Sequence, residues 1–227
     1  MVERLGRRML GRLMLVALVA LAALSGAANG QADDKGDARR IKLVAFGDSL
    51  TAGLGLPAAS AFPAKLEAAL RAKGYKVDVT NAGVSGDTVA DGLARLDWSI
   101  PDGTDAVIVE LGANDALRGL DPKLTRSGLD EIVKRLRQRN VAVMLAGMVA
   151  PRNLGPDYSA QFDPIYPDLA KTHDLTLYPF FLDGVATDPK LNQADGLHPT
   201  AAGVDIIVKR ILPTVEALLT KVLAQRR

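Results

Sequence analysis

Ser49 is the residue whose position most strongly indicates chemistry. It follows an apolar run, residues 41–46, that ends at Gly47 and leads into a row of small residues. This pattern predicts a buried strand that ends in a tight turn into a helix. Ligands bind at the carboxyl ends of the strands in open α/β sheets. A hydroxyl group at this point is therefore a candidate nucleophile.

A serine nucleophile needs a base, and the chain contains two histidines, His173 and His198. His198 follows the last predicted strand and precedes the last predicted helix, with Asp195 three residues before it. A general base needs a carboxylate that orients its imidazole and stabilises the charged form, and Asp-x-x-His spacing can supply one. Taken alone, the pair is better explained as a turn that enters the helix. His173 is expected to lie at a solvated helix end.

Two further loops with polar residues follow predicted strands. Residues 81–88 (Asn-Ala-Gly-Val-Ser-Gly-Asp-Thr) include Gly83, and residues 112–115 (Gly-Ala-Asn-Asp) include Asn114. A glycine lets a backbone N–H approach a ligand closely, and an asparagine amide can donate to a developing oxyanion. Each loop alone is typical of an ordinary turn. Their occurrence at strand ends, together with Ser49 and the Asp-x-x-His pattern, indicates a single site.

The elements that position these residues alternate between strand and helix. We predict strands over 41–46, 76–80, 105–111, 141–147 and 175–178, and helices over 62–73, 88–98, 122–139 and 200–224. This alternation predicts an α/β fold, a three-layer α/β/α sandwich around a five-stranded, mostly parallel sheet in the order 2-1-3-4-5. Pro213 is expected to kink or divide the last helix. Residues 151–168 are predicted to be the longest irregular segment and a candidate wall of the site.

The composition fits one soluble globular domain with a sizeable core, since the 227 residues are 48% hydrophobic and 24% charged. The chain has no cysteine, which excludes disulfides, thiolate nucleophiles and cysteine metal sites. Its formal net charge of +2 depends on arginines near the start of the chain, and the remainder is close to neutral. Without a basic stripe or a nucleic-acid motif, we expect no nucleic-acid partner.

The first 28 residues have the pattern of an export signal. Arginines precede an apolar run over 13–24, and small residues follow it at 25–28. The run is too short and too rich in alanine for a comfortable membrane span, so an uncleaved anchor is the less favoured alternative. We predict a signal over 1–28, a disordered lead-in over 29–40 and one domain over 41–227. The mature protein is expected in the periplasm or outside the cell.

Four sequence blocks occur in a fixed order along the chain. They are Gly-Asp-Ser-Leu at 47–50, Gly83 within residues 81–88, Gly-Ala-Asn-Asp at 112–115 and Asp-Gly-Leu-His-Pro at 195–199. In these blocks the sequence resembles the SGNH (GDSL) hydrolase family, and within it the bacterial thioesterase I, arylesterase and lysophospholipase branch. The resemblance extends from residue 41 to the final helix and implies the SGNH hydrolase fold.

The resemblance implies an acyl-enzyme mechanism in which Ser49 is the nucleophile, His198 the general base and then general acid, and Asp195 its partner. It also implies an oxyanion hole formed by the N–H groups of Ser49 and Gly83 and the side chain of Asn114, with no metal or organic cofactor. The implied activity is hydrolysis of carboxylic ester or thioester bonds in aryl esters, acyl thioesters or lysophospholipids.

The substrate is expected to be a small acyl ester or a lipid, with short to medium acyl chains favoured. Three leucines are predicted to bind it: Leu117, Leu154 and Leu197. Leu154 stands where close relatives are expected to carry an aromatic residue, which affects chain-length preference rather than the reaction. Transient contact with membrane lipid is compatible with such substrates, and a monomer is the default expectation.

Two other classes of function remain open at this stage. The first is a metal-dependent phosphoesterase that uses Asp48, Asn114, Asp115 and His198, although two histidines are few for a dinuclear site. The second is a non-catalytic module that binds lipid or carbohydrate on the same scaffold. An α/β-hydrolase fold is disfavoured because the chain contains no Gly-x-Ser-x-Gly.

Three residues near these motifs are predicted to have structural roles. Asp48 is expected to cap the helix that follows it. Asp115 is expected to support the loop of Asn114. Trp98, which is the only tryptophan, is expected in the core or on a helix face.

Overall fold

A computed structural model describes residues 39–226 as a five-stranded sheet with helices on both faces. The strand order is β2-β1-β3-β4-β5, and every neighbouring pair is parallel. The predicted α/β class and the order 2-1-3-4-5 are therefore confirmed. The predicted export signal and most of the predicted lead-in lie outside the described residues, as does Arg227.

The strands and helices follow one another along the chain in the alternation expected from the sequence. The strands are β1 Ile41–Gly47, β2 Val77–Gly83, β3 Ala106–Glu110, β4 Ala142–Ala146 and β5 Thr176–Tyr178. The helices are α1 Ser49–Ala52, α2 Phe62–Ala72, α3 Val89–Ser99, α4 Ala113–Leu117, α5 Pro122–Gln138, α6 Pro156–Phe162, α7 Ile165–His173 and α8 Ala201–Gln225. Short 3-10 turns occur at Ala58–Ser60 and Arg152–Leu154.

The central strands are apolar along their length because both faces of a parallel sheet are covered. All five residues of β3 are buried, and in β1 only Lys42 is exposed. One layer of helices contains α2 and α8, and the other contains α3, α5 and α7. The rings of Phe62 and Phe181 meet edge to face at 5.0 Å between centroids within the core.

Helix starts are fixed by residues that satisfy free backbone N–H groups. Thr88 and Asp91 form a reciprocal capping box at the start of α3. The Thr200 hydroxyl accepts from the N–H of Gly203 at the start of α8. Within residues 39–226, no helix combines the length and the apolar character that a membrane span would need.

The structure corrects two expectations, the division of the last helix at Pro213 and the irregular structure of residues 151–168. Pro213 does not divide α8, which continues through it because residues on both sides of the proline, including Ile211 and Val215, are buried in the core. The segment 151–168 is not irregular, since it contains a 3-10 turn, all of α6 and the start of α7. Pro156 begins α6, where a proline is tolerated because the first turn of a helix needs no N–H donor.

Trp98 lies on an exposed face of α3, with 74% of its surface exposed, which is the helix-face alternative of the prediction. One residue differs from expectation. His173 is not a solvated helix end. Its Nε2 lies 2.6 Å from Asp130 Oδ1, because α7 packs against α5, and only 13% of its side chain is exposed.

Candidate active site

Ser49 lies where the three central strands end. The register aligns Gly47 of β1 with Gly83 of β2 on one side and with Glu110 of β3 on the other. The chain turns sharply after Gly47, where a Cβ would lie 2.3 Å from Thr51 Oγ1 and 2.5 Å from a Glu110 carboxyl oxygen. Glycine is therefore required for the turn that presents Ser49 at the first position of α1.

The Ser49 hydroxyl belongs to a chain of three side chains at hydrogen-bond distance. Its Oγ lies 2.8 Å from His198 Nε2, and His198 Nδ1 lies 2.6 Å from Asp195 Oδ2. The other Asp195 oxygen accepts from the N–H groups of Leu197 and His198 at 2.9 and 3.0 Å. These backbone N–H groups, followed by the His198 side chain, lower the pKa of Asp195 to about 2. Asp195 is therefore a carboxylate across the physiological range.

The turn that carries Asp195 and His198 is closed by its own hydrogen bonds. Asn192 and Pro199 form an isolated antiparallel bridge, and the Gln193 N–H donates to the His198 carbonyl at 2.7 Å. The Gln193 side chain donates to the carbonyl of Leu54 at 2.8 Å. This last bond links the turn to the loop that follows α1, and so to the segment that carries Ser49.

The predicted oxyanion donors lie against the same turn of α1. A Cβ at Gly83 would lie 2.3 Å from the Ala52 nitrogen. The end of β2 can therefore approach α1 this closely only because residue 83 is a glycine. Asn114 reaches the turn from the start of α4, and its Nδ2 donates to Asp48 Oδ2 at 3.1 Å. The sheet thus gathers all three predicted donor groups at one place.

Two of these donors have protein acceptors in the structure. The Gly83 N–H donates to Asn81 Oδ1 at 3.0 Å, and Asn114 Nδ2 donates to the Asp87 carbonyl at 2.9 Å as well as to Asp48. The Ser49 N–H lies in the first turn of α1, where helix geometry provides no acceptor. A substrate oxygen would therefore gain two of its hydrogen bonds by exchange with these acceptors.

Two carboxyl groups are buried beneath Ser49. Asp48 caps α1 as predicted, since its Oδ1 accepts from the Leu50 N–H at 3.0 Å. Burial raises the pKa of Asp48 to about 6, although the bond from Leu50, the His198 charge and the Asn114 amide each lower it. Glu110 accepts from the Thr51 hydroxyl at 2.6 Å. Burial, and secondly the Asp48 charge, raise the pKa of Glu110 well above its ordinary value. The neutral form of Glu110 is thereby favoured.

This arrangement contains the groups used in acyl transfer: a hydroxyl bonded to an imidazole, a carboxylate on the far nitrogen, and amide donors beside the hydroxyl. The set required for a phosphoesterase is not assembled. Asp115 instead accepts from the Val89 N–H and the Thr125 hydroxyl, which is the predicted structural role. Among residues 39–226, no three side chains of His, Asp or Glu are grouped so as to hold a metal ion.

Comparison with known proteins places this geometry in a family. The GDSL-like lipase/acylhydrolase family matches residues 45–206, a range that contains the nucleophile turn, the two donor loops and the Asp-x-x-His turn. The chain belongs to this family. As the sequence resemblance implied, the protein is a hydrolase of carboxylic ester or thioester bonds.

Individual relatives of this GDSL-like acylhydrolase agree in fold and type. An arylesterase of Vibrio mimicus is 42% identical over 159 residues, which cover 70% of this chain and 80% of that protein. The esterase TesA of Pseudomonas aeruginosa is 38% identical over 178 residues, or 78% and 89% of the two chains. The crystal structure of AlinE4, an SGNH-hydrolase family esterase, superposes with a TM-score of 0.67 at 47% identity, covering 80% of this chain and 97% of that one.

Sequence reasoning missed one residue at the site of this acylhydrolase, Arg95. Its guanidinium group is buried behind the strand ends, where it contacts the Gly47 carbonyl and Asp87. The sequence does indicate that Arg95 is buried. Val89 and Leu96 mark the buried face of α3, and Arg95 lies on that face by helical spacing. A charged residue at a core-facing position needs a partner, and here that partner lies at the site.

The three leucines predicted to bind substrate lie in different segments of the chain. Leu117 ends α4 and Leu197 precedes His198, and about half of each side chain is exposed, at 48% and 47%. Leu154 lies at the end of a 3-10 turn with its side chain against Gly119. Their contact with substrate stays a prediction.

Proposed function

We propose that Ser49, His198 and Asp195 form the catalytic triad of this ester hydrolase. The observation that carries the proposal is the continuous hydrogen-bonded path from Ser49 Oγ to His198 Nε2 and from His198 Nδ1 to Asp195 Oδ2, at 2.8 and 2.6 Å. In this arrangement Nδ1 donates to Asp195, so the lone pair of Nε2 accepts the Ser49 proton. The ionised Asp195 then stabilises the imidazolium ion that forms.

The proposed reaction proceeds in two halves. Ser49 Oγ attacks the acyl carbon while His198 takes its proton, and the tetrahedral intermediate then expels the alcohol or thiol, which receives that proton from His198. Water attacks the resulting acyl-enzyme, again with His198 as base. The acyl–Oγ bond breaks, the carboxylic acid leaves and Ser49 recovers its proton.

The oxyanion hole is proposed to consist of the Ser49 N–H, the Gly83 N–H and the Asn114 amide. These donors support the proposal because they meet at the turn of α1, where the substrate carbonyl must lie for attack by Ser49. The exchange of protein acceptors for the oxyanion favours the transition state, since a full negative charge is a better acceptor than the Asn81 amide oxygen or the Asp87 carbonyl.

For the substrate, we propose aryl and alkyl esters with short to medium acyl chains. Relatives named arylesterase and esterase support the ester class, and the half-exposed Leu117 and Leu197 offer apolar contact for an acyl or aryl group. Leu154 is proposed to lie along the same path. We also propose that the protein is exported, acts as a monomer and contacts membrane lipid transiently when the substrate is a lipid.

The test is hydrolysis of p-nitrophenyl esters from acetate to palmitate by the wild type and two variants. Ser49→Ala should fall to background. Asn114→Ala should lose about 10²- to 10³-fold in kcat, the usual cost of one oxyanion donor. Ser127→Ala, which removes an exposed serine hydroxyl from α5, is the matched control and should keep full activity.

The outcomes separate the alternatives. Activity retained by folded Ser49→Ala would overturn the assignment of the nucleophile, and full turnover by Asn114→Ala would remove that residue from the oxyanion hole. A folded wild type without activity on the whole series would favour a binding module. Maximal activity on palmitate, on an acyl thioester or on a lysophospholipid would replace the proposed substrate class while leaving the mechanism intact.

A further inference from the structure

Arg95 is a buried cation that contacts several groups at the ends of the central strands. Its Nε donates to Asp87 Oδ2 at 2.5 Å, and its Nη2 donates to the Gly47 carbonyl at 2.8 Å. Its Nη1 donates to the Ala82 carbonyl at 2.9 Å and to Ser99 Oγ at 3.0 Å. The guanidinium also lies 4.3 Å from the centroid of the Phe46 ring, and only 8% of the side chain is exposed.

Three of these four acceptors, all except Ser99, lie close to a donor of the proposed oxyanion hole. Gly47 lies two residues before Ser49, and Ala82 immediately precedes Gly83. Asp87 is connected to the third donor, because its backbone carbonyl accepts from Asn114 Nδ2 at 2.9 Å while its carboxylate accepts from Arg95. One guanidinium thus holds the end of β1, the end of β2 and the loop that contacts the Asn114 amide.

We infer that Arg95 is the positioning residue of the oxyanion hole, which fixes the three donors relative to one another. The inference rests on the proposed function of those donors. Its physical basis is the planar guanidinium, whose N–H groups point in fixed directions and can hold several acceptors in one geometry. The lysine ammonium ion is a point charge on a flexible stem and cannot reproduce this fork.

The expected signature is a loss in kcat rather than in KM. The carbonyl oxygen gains most of its negative charge in the transition state, so misplaced donors affect that state more than substrate binding. A misplacement of about 1 Å in a catalytic group can cost about 10²-fold in rate. For Arg95→Lys we therefore expect kcat about 10²-fold lower, with KM within about threefold of the wild type.

A purely structural role for Arg95 has to be separated from this one. Removal of the cation alone leaves the buried Asp87 carboxylate uncompensated, which is strongly destabilising. Arg95→Lys keeps the charge, and the double variant Arg95→Met/Asp87→Asn removes the ion pair as a unit. Urea unfolding of each variant establishes that it is folded under the assay conditions.

The decisive experiment is a double-mutant cycle between Arg95→Lys and Asn114→Ala, measured as kcat on p-nitrophenyl acetate. If Arg95 acts through the oxyanion donors, the combined loss is smaller than the product of the two single losses. Arg139→Lys is the matched control, because Arg139 also donates to a backbone carbonyl, that of Ile100 at the C-terminal end of α3, and contacts none of the proposed oxyanion donors or their strands. This control should keep the wild-type kcat.

The failures of the two proposals are distinguishable. Wild-type kcat in Arg95→Lys, or losses that multiply fully in the cycle, would overturn the positioning role while Ser49→Ala remains inactive. If Ser49→Ala itself keeps activity, the proposed function fails first, and the inference about Arg95 fails with it. A folded Arg95→Met/Asp87→Asn variant with wild-type kcat would also overturn the role.

Discussion

The buried carboxyl group of Asp48 should make the stability of the protein fall as pH rises, and Asp48→Asn should remove that effect. The substitution keeps the size of the side chain and an oxygen that can accept from the Leu50 N–H. It removes the charge that burial disfavours. It also replaces the acceptor of Asn114 Nδ2, so some activity should be lost at the same time.

The sign and the size follow from the pKa of Asp48. Burial raises that pKa from 3.8 to about 6, so the folded protein binds the proton more tightly than the unfolded chain does. The stabilisation is complete below about pH 4 and is lost as pH rises through about 6. One pKa unit corresponds to about 1.4 kcal/mol, so the loss amounts to about 3 kcal/mol. The variant does not have this dependence.

Glu110 adds to the difference with the same sign. Part of the rise in its pKa comes from the ionised Asp48, and this part disappears in the variant. The variant should therefore gain relative to the wild type, by about 3 kcal/mol or somewhat more, between about pH 4 and about pH 8. Because both buried carboxyl groups have raised pKa values, the folded protein should be more stable in mild acid than at neutral pH.

The assay is urea unfolding of both proteins at about pH 4 and about pH 8, comparing the free energies of unfolding. Asp97→Asn removes the same charge from a side chain that is 75% exposed, and it controls for the change in net charge. Parallel loss of stability in the wild type and Asp48→Asn would refute the reasoning. A wild type that gains on the variant as pH rises would show that Leu50, Asn114 and His198 outweigh burial.

Two further substitutions separate activity from stability. Gly83→Ala places a Cβ 2.3 Å from the Ala52 nitrogen, so α1 or the end of β2 must move. The kcat on p-nitrophenyl acetate should therefore fall by about 10²-fold, and an unchanged kcat would contradict the close approach. Phe62→Ala removes a fully buried ring that packs on Phe181 in the core, and it should cost about 3–5 kcal/mol in urea unfolding while kcat is preserved. A loss below about 1 kcal/mol would contradict this packing.

The sheet could be predicted from the sequence because its strands are buried on both faces. A run such as that of β3 is apolar up to its last residue, Glu110, so its pattern differs from that of an amphipathic helix, and glycine or turn residues follow it. The predicted strand ends differ from the observed ends by at most three residues. The strand order followed by analogy with doubly wound sheets rather than from the residues themselves.

The short helices could not be predicted in the same way. The five residues of α4 and the seven of α6 are too few to show a helical period, and α6 begins with Pro156, which alone indicates a loop as readily as a helix start. For Trp98 the residue type allows either the core or a helix face, and only the packing of α3 decides that it is exposed.

In the candidate site too, contacts between neighbours in the sequence could be predicted, and contacts between distant segments could not. Asp195 and His198 are neighbours in sequence, so a local pattern was enough to suggest their pairing. The partners of Asn114 are not local, since Asp48 and Asp87 reach it only after three strands have paired. The role of Arg95 depends on acceptors from the same strands. No single stretch of sequence contains that information.

The turn that carries Asp195 and His198 has a consequence for protein engineering. Its bridge between Asn192 and Pro199 and the bond from Gln193 to His198 lie within eight consecutive positions, 192–199. The segment is therefore a compact cassette, which can be grafted between a strand and a helix together with its own hydrogen bonds. The Ser49 nucleophile and the amide donors cannot be transferred in this way, since they are distributed over β1, β2 and α4. Laboratory evolution of this enzyme should therefore keep Asp195 and His198, vary the other positions of the cassette and leave the sheet untouched.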